Sequence, residues 1–220
     1  MLISFPVFGK EDISSCKIEN NKVISQNICY GFININEHFT YQGEFNNGRI
    51  NGEGKFIWLK KKLYKEYIGE FKDDKLHGQG KLTWVNGDVY IGSFVLGRQK
   101  GYGKKIFKNG NLYLGYFDND FFNGMGKYVD VQSNIYEGNF KNGNFEGLGR
   151  MIYANGDIYK GEWNEGKRSG KGFWKSLKGD YSYEGDWKNG LPDGFGIMIY
   201  KNGTREQGKF KDGKLLKFID

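Results

Sequence analysis

Residues 161–168 read GEWNEGKR, which matches the phosphate-loop signature G-x-x-x-x-G-K-[ST] at every position except the last. In such loops backbone N–H groups surround a phosphate, the lysine contacts its oxygens, and the final hydroxyl holds Mg²⁺. Arg168 stands where that hydroxyl is needed. The same spacing recurs in GEFNNGR from Gly43 and in GKFKDGK from Gly208, so it indicates the spacing of a β-hairpin rather than a nucleotide site.

Other residues that could support catalysis do not form a recognisable site. The two histidines, His38 and His77, fall in different segments, and His77 occupies a turn position that is filled elsewhere by Asn or Ser. Three acids, Glu44, Glu70 and Glu162, recur at regular intervals as a ladder and not as a facing acid pair. We therefore expect no enzyme activity, no cofactor and no metal site.

The two cysteines, Cys16 and Cys29, are too few for a disulfide framework or a multi-cysteine zinc site, and we expect two reduced thiols. The N-terminal stretch MLISFPVFGKED has neither a basic leader nor a small-residue cleavage site, and no apolar run is long enough to span a bilayer. These features predict a soluble cytoplasmic protein.

The net charge of +7 is concentrated in the first half of the chain. Residues 1–110 carry 17 Lys and Arg against 11 Asp and Glu, whereas residues 111–220 carry 16 against 15. This imbalance favours an anionic partner, such as a phosphoinositide surface, an acidic protein or nucleic acid. Charge that serves only solubility explains it equally well.

A repeat of about 23 residues dominates the sequence. Its frame is Y-x-G-x-[FW]-x-x-G-x-x-x-G-x-G, followed by about nine residues before the next copy. Such self-similarity is typical of repeat architectures, in which each unit packs on its neighbours. The seven copies start at Tyr41, Tyr67, Tyr90, Tyr113, Tyr136, Tyr159 and Tyr183.

The two ends of the chain resemble degenerate copies of the repeat. We divide the chain into a divergent N-terminal segment and capping repeat at 1–40, seven repeats at 41–205, and a degenerate C-terminal capping repeat at 206–220. In the N-terminal cap, Asn21 stands where Gly48 stands in the first full repeat. Asn tolerates the left-handed conformation that a glycine would supply there.

Each repeat predicts a β-hairpin, because two alternating segments flank a turn dipeptide such as Asn-Gly. A second Asn-Gly turn joins each hairpin to the next, so the fold class is all-β, an elongated single-layer antiparallel sheet of tandem hairpins. Tyr, the first Gly and Phe or Trp should share one face. We expect the rings of one repeat to lie over the glycines of a neighbouring repeat.

These residues and their period resemble the MORN (membrane occupation and recognition nexus) repeat, strongly over 41–205 and weakly at both ends. The resemblance implies a hairpin array that acts as a scaffold at membranes and cytoskeletal structures. It also implies protein partners bound along a groove, phosphoinositide binding in some members, and antiparallel homodimers in others. We assign the partner groove to aromatic residues late in the second strands: Trp58, Trp84, Phe107, Tyr153 and Tyr200.

A basic stripe is the second candidate surface. The residue after G-x-G is basic in five successive repeats, and in the first two it should pair with an acid, Glu44 with Lys55 and Glu70 with Lys81. The middle repeats lack that acid. We therefore expect unneutralised bases that bind anionic lipid or an acidic partner, formed by Lys104, Lys127 and Arg150 with neighbouring Lys105.

The insertion LKKKLYKE at 59–66 adds a third basic feature, Lys60, Lys61 and Lys62, which either contacts anionic lipid or forms a solvated loop. A scaffold that binds protein partners is our leading interpretation of the whole chain, located in the cytoplasm and peripheral to membrane or cytoskeleton. Direct phosphoinositide binding is the alternative. Nucleic-acid binding ranks last, because most rings are needed for packing.

Overall fold

The computed structural model describes residues 13–60 and 63–218. These residues form β-strands and tight turns. Among them there is no helix long and apolar enough to cross a membrane. The chain divides into two compact units, and the boundary falls between Lys108 and Asn109.

Unit 1 contains a short hairpin, β1–β2, and seven further strands, β3 to β9, that form one antiparallel sheet. Consecutive strands of the sheet pair with each other, so the order in space follows the sequence. The strands are β1 Ile18–Glu19, β2 Lys22–Val23, β3 Cys29–Asn36, β4 Phe39–Asn46, β5 Arg49–Trp58, β6 Tyr64–Lys72, β7 Lys75–Trp84, β8 Val89–Val95 and β9 Arg98–Ile106.

Unit 2 contains ten antiparallel strands that also pair in sequence order. The predicted all-β fold of tandem hairpins is therefore confirmed. The strands are β10 Leu112–Asp118, β11 Phe121–Val129, β12 Ile135–Lys141, β13 Asn144–Ile152, β14 Ile158–Asn164, β15 Lys167–Ser176, β16 Tyr181–Lys188, β17 Leu191–Tyr200, β18 Arg205–Lys211 and β19 Lys214–Phe218.

The GEWNEGKR segment forms one of these hairpins. Strand β14 ends at Asn164, Glu165 and Gly166 form the turn with φ of 49° and 79°, and β15 begins at Lys167. Two successive positive φ angles give the turn whose twist matches the twist of the flanking strands. The glycine spacing thus serves chain reversal, as the sequence predicts.

A row of glycines crosses the sheet of unit 2, and we call it the glycine row. Each member is the direct cross-strand partner of the next. This continuous pairing places glycine backbone beside glycine backbone across nine strands. The members are Gly115, Gly126, Gly138, Gly149, Gly161, Gly172, Gly185, Gly196 and Gly208.

The repeat tyrosines pack directly on these glycines. The ring of Tyr136 covers Gly138 and Gly149, and a methyl group added to either glycine would overlap the tyrosine hydroxyl. Both glycines belong to the same repeat as the tyrosine. The expectation that rings cover glycines of a neighbouring repeat is therefore wrong. The reason is that the two strands of one hairpin pair glycine to glycine beneath their own ring.

In each unit the repeat tyrosines form the centre of the core on one face of the sheet, which we call the tyrosine face of that unit. Each is at most 1% exposed, and each hydroxyl donates to the backbone carbonyl three residues later. In the last full repeat Tyr183 donates to Asp186 O over 3.0 Å, and burial raises the pKa of Tyr183 to about 12. The hydroxyls therefore stay protonated and act as structural donors.

Within a unit, the Phe or Trp of a repeat joins that repeat to the preceding one. In unit 2 the Trp163 ring lies edge-on to Tyr159 of its own repeat at 5.1 Å. It also lies edge-on to Tyr136 of the preceding repeat at 5.3 Å. At the turns, Gly166 N donates to Phe145 O over 2.9 Å. Repeat boundaries inside a unit are therefore held by ring contacts in the core and by backbone hydrogen bonds at the turn.

The N-terminal cap departs from the sequence analysis in one respect. Cys16 and Cys29 form a disulfide with a Cα–Cα distance of 4.9 Å, so the expectation of two reduced thiols is wrong. Residues 14–16, just before β1, lie parallel to β3, where Tyr30 N donates to Ser14 O and Cys16 N donates to Tyr30 O. Turn residue Asn21 has a φ of 59°, which confirms the left-handed conformation predicted for it.

Candidate functional site

The face of unit 2 opposite the tyrosines, which we call the outer face, carries a groove of about 990 Å³. We call it the outer groove. Backbone of the glycine row forms its floor, since the rings beneath those glycines occupy the other face. Side chains alternate between the faces of a strand, so the residues on either side of each glycine become the two walls.

The first wall is a continuous cross-strand row, in which each residue pairs with the next. It mixes charged and apolar groups: Glu137, Arg150, Lys160, Phe173, Glu184, Ile197 and Gln207. The second wall is formed mainly by the residue between the two glycines of each G-x-G. In successive repeats of unit 2 that residue is Met125, Leu148, Lys171 and Phe195.

Three residues of the second wall are large, apolar and exposed. Met125 is 57% exposed, Leu148 66% and Phe195 57%. They recur at the same position of the repeat, so they face the same side of the groove. Lys171, the fourth member, makes an ion pair with Asp186, its cross-strand partner, with Nζ 2.6 Å from Oδ1. Hydrogen bonds and the ion pair with Lys171 hold the pKa of the Asp186 carboxyl below its usual range.

The first wall brings two cations together near the middle of the groove. Arg150 and Lys160 are direct cross-strand partners and both are exposed. The acid on the other side of Arg150 is Glu137, whose Oε1 lies 2.7 Å from Lys127 Nζ. Among residues 13–60 and 63–218, neither Arg150 nor Lys160 has an ion-pair partner within 4.0 Å.

The predicted basic stripe is only partly present. Lys104 is exposed on the face of unit 1 that lies opposite its tyrosines. Lys127 is neutralised by Glu137, so the expectation that Lys127 lacks an acidic partner is wrong. Lys105 lies on the tyrosine face, with Nζ 5.0 Å from the Trp84 ring and 5.1 Å from the Phe107 ring. Adjacent residues of a strand point to opposite faces, so Lys105 cannot extend a stripe that contains Lys104.

The expected pairing of the acid after the first glycine with the lysine after G-x-G is not seen for Lys55 or Glu70. Lys55 Nζ instead lies 2.8 Å from Glu66 Oε2. Glu70 Oε1 accepts a hydrogen bond from the backbone N–H of Gln79 over 2.8 Å, and Glu162 Oε1 accepts one from Lys171 over 2.9 Å. These carboxylates turn onto the backbone because a bulge next to the paired glycines leaves an N–H without a strand partner.

The insertion at 59–66 is described only in part. Lys60 Nζ lies 2.9 Å from Glu37 Oε1, so this lysine is paired rather than free for lipid. Lys61 and Lys62 lie outside the described residues. Their assignment to anionic lipid stays a prediction.

The aromatic residues assigned to a partner groove lie on the tyrosine face, and each of them is half-buried. In unit 1, Tyr64 bridges Trp58 and Trp84, with ring centroids 5.3 and 6.0 Å away. In unit 2 the Tyr153 ring lies 5.3 Å from Trp174, and Tyr200 Oη donates to Glu206. They do not line the outer groove, and a role in partner binding stays a prediction.

One arginine that the sequence analysis treated only as a mismatch has a clear place in the packing. The Arg168 guanidinium lies 4.7 Å from the Trp174 ring and 4.5 Å from the Trp187 ring, and it donates to Gly190 O. Burial lowers its pKa from the ordinary value. Phe145 occupies the equivalent position of the preceding repeat, where its ring stacks on Tyr136. This equivalence was the sequence signal that Arg168 would stack on aromatic rings.

The residues between the paired glycines are the functional candidates that sequence reasoning missed. The repeat frame marked that position as variable, and only the residue after G-x-G received attention. The signal for them was that the same position of the repeat, between the two glycines, holds the large apolar residues Met125, Leu148 and Phe195 on the face exposed to solvent. Within residues 13–60 and 63–218 no group of three or more His, Cys, Asp or Glu side chains could hold a metal ion.

No curated protein matches this chain. Similar solved structures include the TCP domain of SAS-4 (dCPAP) from Drosophila melanogaster in complex with a proline-rich motif of Ana2 (dSTIL), at 12% identity and a TM-score of 0.40, covering 83% of this chain and 90% of that chain. The G-box domain of the microcephaly protein CPAP has 12% identity, a TM-score of 0.46, and coverages of 83% and 99%. The TCP10 domain of Danio rerio CPAP has 13% identity, a TM-score of 0.43, and coverages of 83% and 89%.

A family model gives the more specific result. The MORN repeat model matches seven segments that start at or beside the repeat tyrosines and together span more than half of the chain. The segments are 41–59, 67–89, 90–112, 113–134, 136–158, 159–181 and 183–205. The matched family is a repeat and not a catalytic domain. By its repeats and by the hairpins they form, this chain belongs to the MORN-repeat family.

Proposed function

We propose that this chain is a non-catalytic MORN-repeat scaffold and that unit 2 holds a protein partner in the outer groove. One observation carries the proposal: Met125, Leu148 and Phe195 are each more than half exposed along a single groove. Aligned apolar side chains with polar neighbours are typical of interaction sites. The volume of about 990 Å³ is at the upper end of the range for small-ligand pockets.

The groove favours binding over chemistry. Its titratable groups are lysines, an arginine and glutamates on a cross-strand row, and two of the acids nearby are already engaged by Lys127 and Lys171. Neighbouring acids therefore serve ion pairs and backbone hydrogen bonds rather than proton transfer. The match to a repeat family rather than an enzyme family supports the same proposal.

The proposed location is the cytoplasmic side of a membrane or the cytoskeleton, and the bound partner would recruit the chain there. A scaffold of this kind needs no lipid contact of its own. Membrane association would then depend on the outer groove and not on net charge. This dependence separates the leading function from direct lipid binding.

Photo-crosslinking in the native cells tests the groove. A photoreactive residue at Leu148 should capture one partner protein in the full chain. Phe195→Glu should reduce that capture by about tenfold, because burying a Phe contributes about 1.5–3 kcal/mol. Phe121→Glu is the matched control, since Phe121 is 55% exposed but is the first residue of β11 and lies outside the groove.

Equal capture by the Phe195→Glu and Phe121→Glu chains would overturn the proposal. Capture of only a second copy of this chain would also overturn it, in favour of a homodimer. The same variants, fused to a fluorescent protein, should differ in location. Phe195→Glu should become diffuse, and Phe121→Glu should keep the parental pattern.

Direct binding to anionic membranes is the second candidate, favoured by Lys104. This side chain is exposed on the outer face of unit 1 and, among the described residues, has no ion-pair partner within 4.0 Å. If the candidate is right, the chain pellets with phosphoinositide-containing vesicles and Lys104→Glu weakens pelleting several-fold, as expected for about 1 kcal/mol per charge near a membrane. Absence of pelleting by the wild type would exclude it.

A further inference from the structure

The outer groove contains an electrostatic conflict that a partner would resolve. Arg150 and Lys160 face each other across β13 and β14 with the same charge. Like charges at direct cross-strand positions destabilise a sheet. The nearest acid of the row, Glu137, is engaged by Lys127. A carboxylate supplied by a ligand would lie between the two cations, attract both and offset their mutual repulsion.

The apolar wall sets a second requirement, which is the spacing along the groove. Met125, Leu148 and Phe195 lie on β11, β13 and β17, so each repeat contributes one wall position every two strands. Adjacent strands are about 4.7–4.9 Å apart, and the wall positions therefore recur about every 9.4–9.8 Å. Any segment that lies along the groove must present apolar side chains at that interval.

An extended chain in the polyproline II conformation meets this interval. It rises about 3.1 Å per residue with three residues per turn, so every third side chain points to the same side about every 9.3 Å. A β-strand alternates its side chains every two residues and matches the wall poorly. An α-helix is about 10–12 Å across, which keeps its backbone away from the glycine floor.

The other side of the groove adds a further apolar contact in the same phase. Phe173 lies on β15, one repeat after β13, and is 37% exposed. It lies on the first wall, across Gly172 from Lys171, which is paired with Asp186. Apolar contacts are thus available at four successive repeats, three on the second wall and one on the first.

We propose, on the basis of the function proposed above, that the outer groove binds an extended acidic–apolar peptide segment. Its apolar residues recur at every third position. Three of them lie on Met125, Leu148 and Phe195, and the one between the last two lies beside Lys171, with Phe173 across the groove. A carboxylate adjacent to the residue on Leu148 lies between Arg150 and Lys160. The geometry thus assigns to this chain a partner with a short linear motif in polyproline II conformation.

A synthetic peptide provides the direct test. The peptide has ten residues, with leucine at the first, fourth, seventh and tenth positions, glutamate at the fifth, and proline elsewhere. It carries a fluorophore, and anisotropy is measured with the full chain. We expect binding by the wild type and a loss of about tenfold with the double variant Arg150→Glu and Lys160→Glu, since two attractive contacts become repulsive.

Two controls make the result specific. The double variant Lys141→Glu and Lys188→Glu carries the same charge change at exposed positions outside the groove and should bind like the wild type. A peptide with lysine in place of glutamate should bind the Arg150→Glu and Lys160→Glu chain better than the wild type. This exchange of preference would not occur if the substitutions only disturbed folding.

Binding that ignores both the peptide charge and the chain charge would overturn the inference, and so would absence of binding to the wild type. Sequencing of the segment crosslinked at Leu148 separates the two proposals. A captured segment without the three-residue spacing or the acid overturns the peptide motif and leaves the groove function standing. Loss of groove-dependent capture overturns the groove function itself.

Discussion

The contact between a tyrosine ring and two bare glycines is the smallest unit of this fold. Tyr136 lies over Gly138 and Gly149, and its hydroxyl donates to Asn139 O over 2.9 Å. Glycine is required there because the ring and the backbone of the other strand fill the space that a Cβ would need. Backbone flexibility has no part in the choice of Gly149, which lacks a positive φ.

Gly149→Ala therefore tests steric packing. We expect it to lower the free energy of unfolding by about 2–3 kcal/mol, the cost of inserting a methyl group into a close-packed site. Gly143→Ala is the control: Gly143 has a φ of 86° and open space around it, so only backbone strain of about 1 kcal/mol applies.

Urea unfolding followed by tryptophan fluorescence measures both effects, because Trp163 packs against Tyr136. A Gly149→Ala chain as stable as the Gly143→Ala chain would show that the tyrosine ring can move aside. The close contact would then not determine the glycine at that position.

At the scale of elements, the N-terminal cap is the least regular part of unit 1. Its segment 14–16 lies along β3 through backbone hydrogen bonds, and the Cys16–Cys29 disulfide closes a loop with a sequence separation of 13. In the chain-entropy description a loop of this length stabilises the folded segment by about 3 kcal/mol. The cap therefore depends on the redox state of two cysteines.

Reduction should open the cap without unfolding the repeats. We expect the amide of Cys16, which donates to Tyr30 O, to exchange with solvent about a hundredfold faster after a reductant is added. Amide hydrogen exchange measures this, and the Cys16→Ser and Cys29→Ser double variant should be insensitive to reductant. Equal exchange in both redox states would show that backbone pairing alone holds the cap. Cytosolic glutathione keeps thiols reduced, so a cytoplasmic chain would carry the open form.

The elements themselves were largely predictable. Alternation, Asn-Gly dipeptides and the repeat period fix the hairpins, and residues such as Glu165 adopt turn conformations because the following glycine continues the turn. The bulges were not predictable in the same way. Glu162 and Lys171 can form an ion pair or a hydrogen bond from side chain to backbone, and only the shifted register selects the second.

At the scale of the whole molecule, each unit is stabilised by contacts between successive strands. Within the main sheet of each unit, consecutive strands pair with each other, and rings such as Trp163 contact the preceding repeat. Stability in such arrays is approximately a sum of repeat terms and boundary terms. Substitutions at one boundary should thus have effects that stay local to it.

The candidate site was predicted less well than the fold. The sequence shows that tyrosines and glycines share one face, and it follows that the other face carries the variable residues. It does not show that the backbone of the glycine row becomes the floor of a groove, because that depends on how the strands bend over the rings. For the same reason Leu148 and Phe195 could not be distinguished from scattered exposed residues.

The packing of each tyrosine on glycines of its own repeat also bears on how such genes change. A segment of 23 residues that starts at a tyrosine carries its own ring, its own glycines and one interface of each kind. Unequal recombination that adds or removes one such segment would therefore create no new kind of interface between repeats. If the outer groove binds a peptide as proposed, each added segment lengthens the peptide that it holds by about three residues.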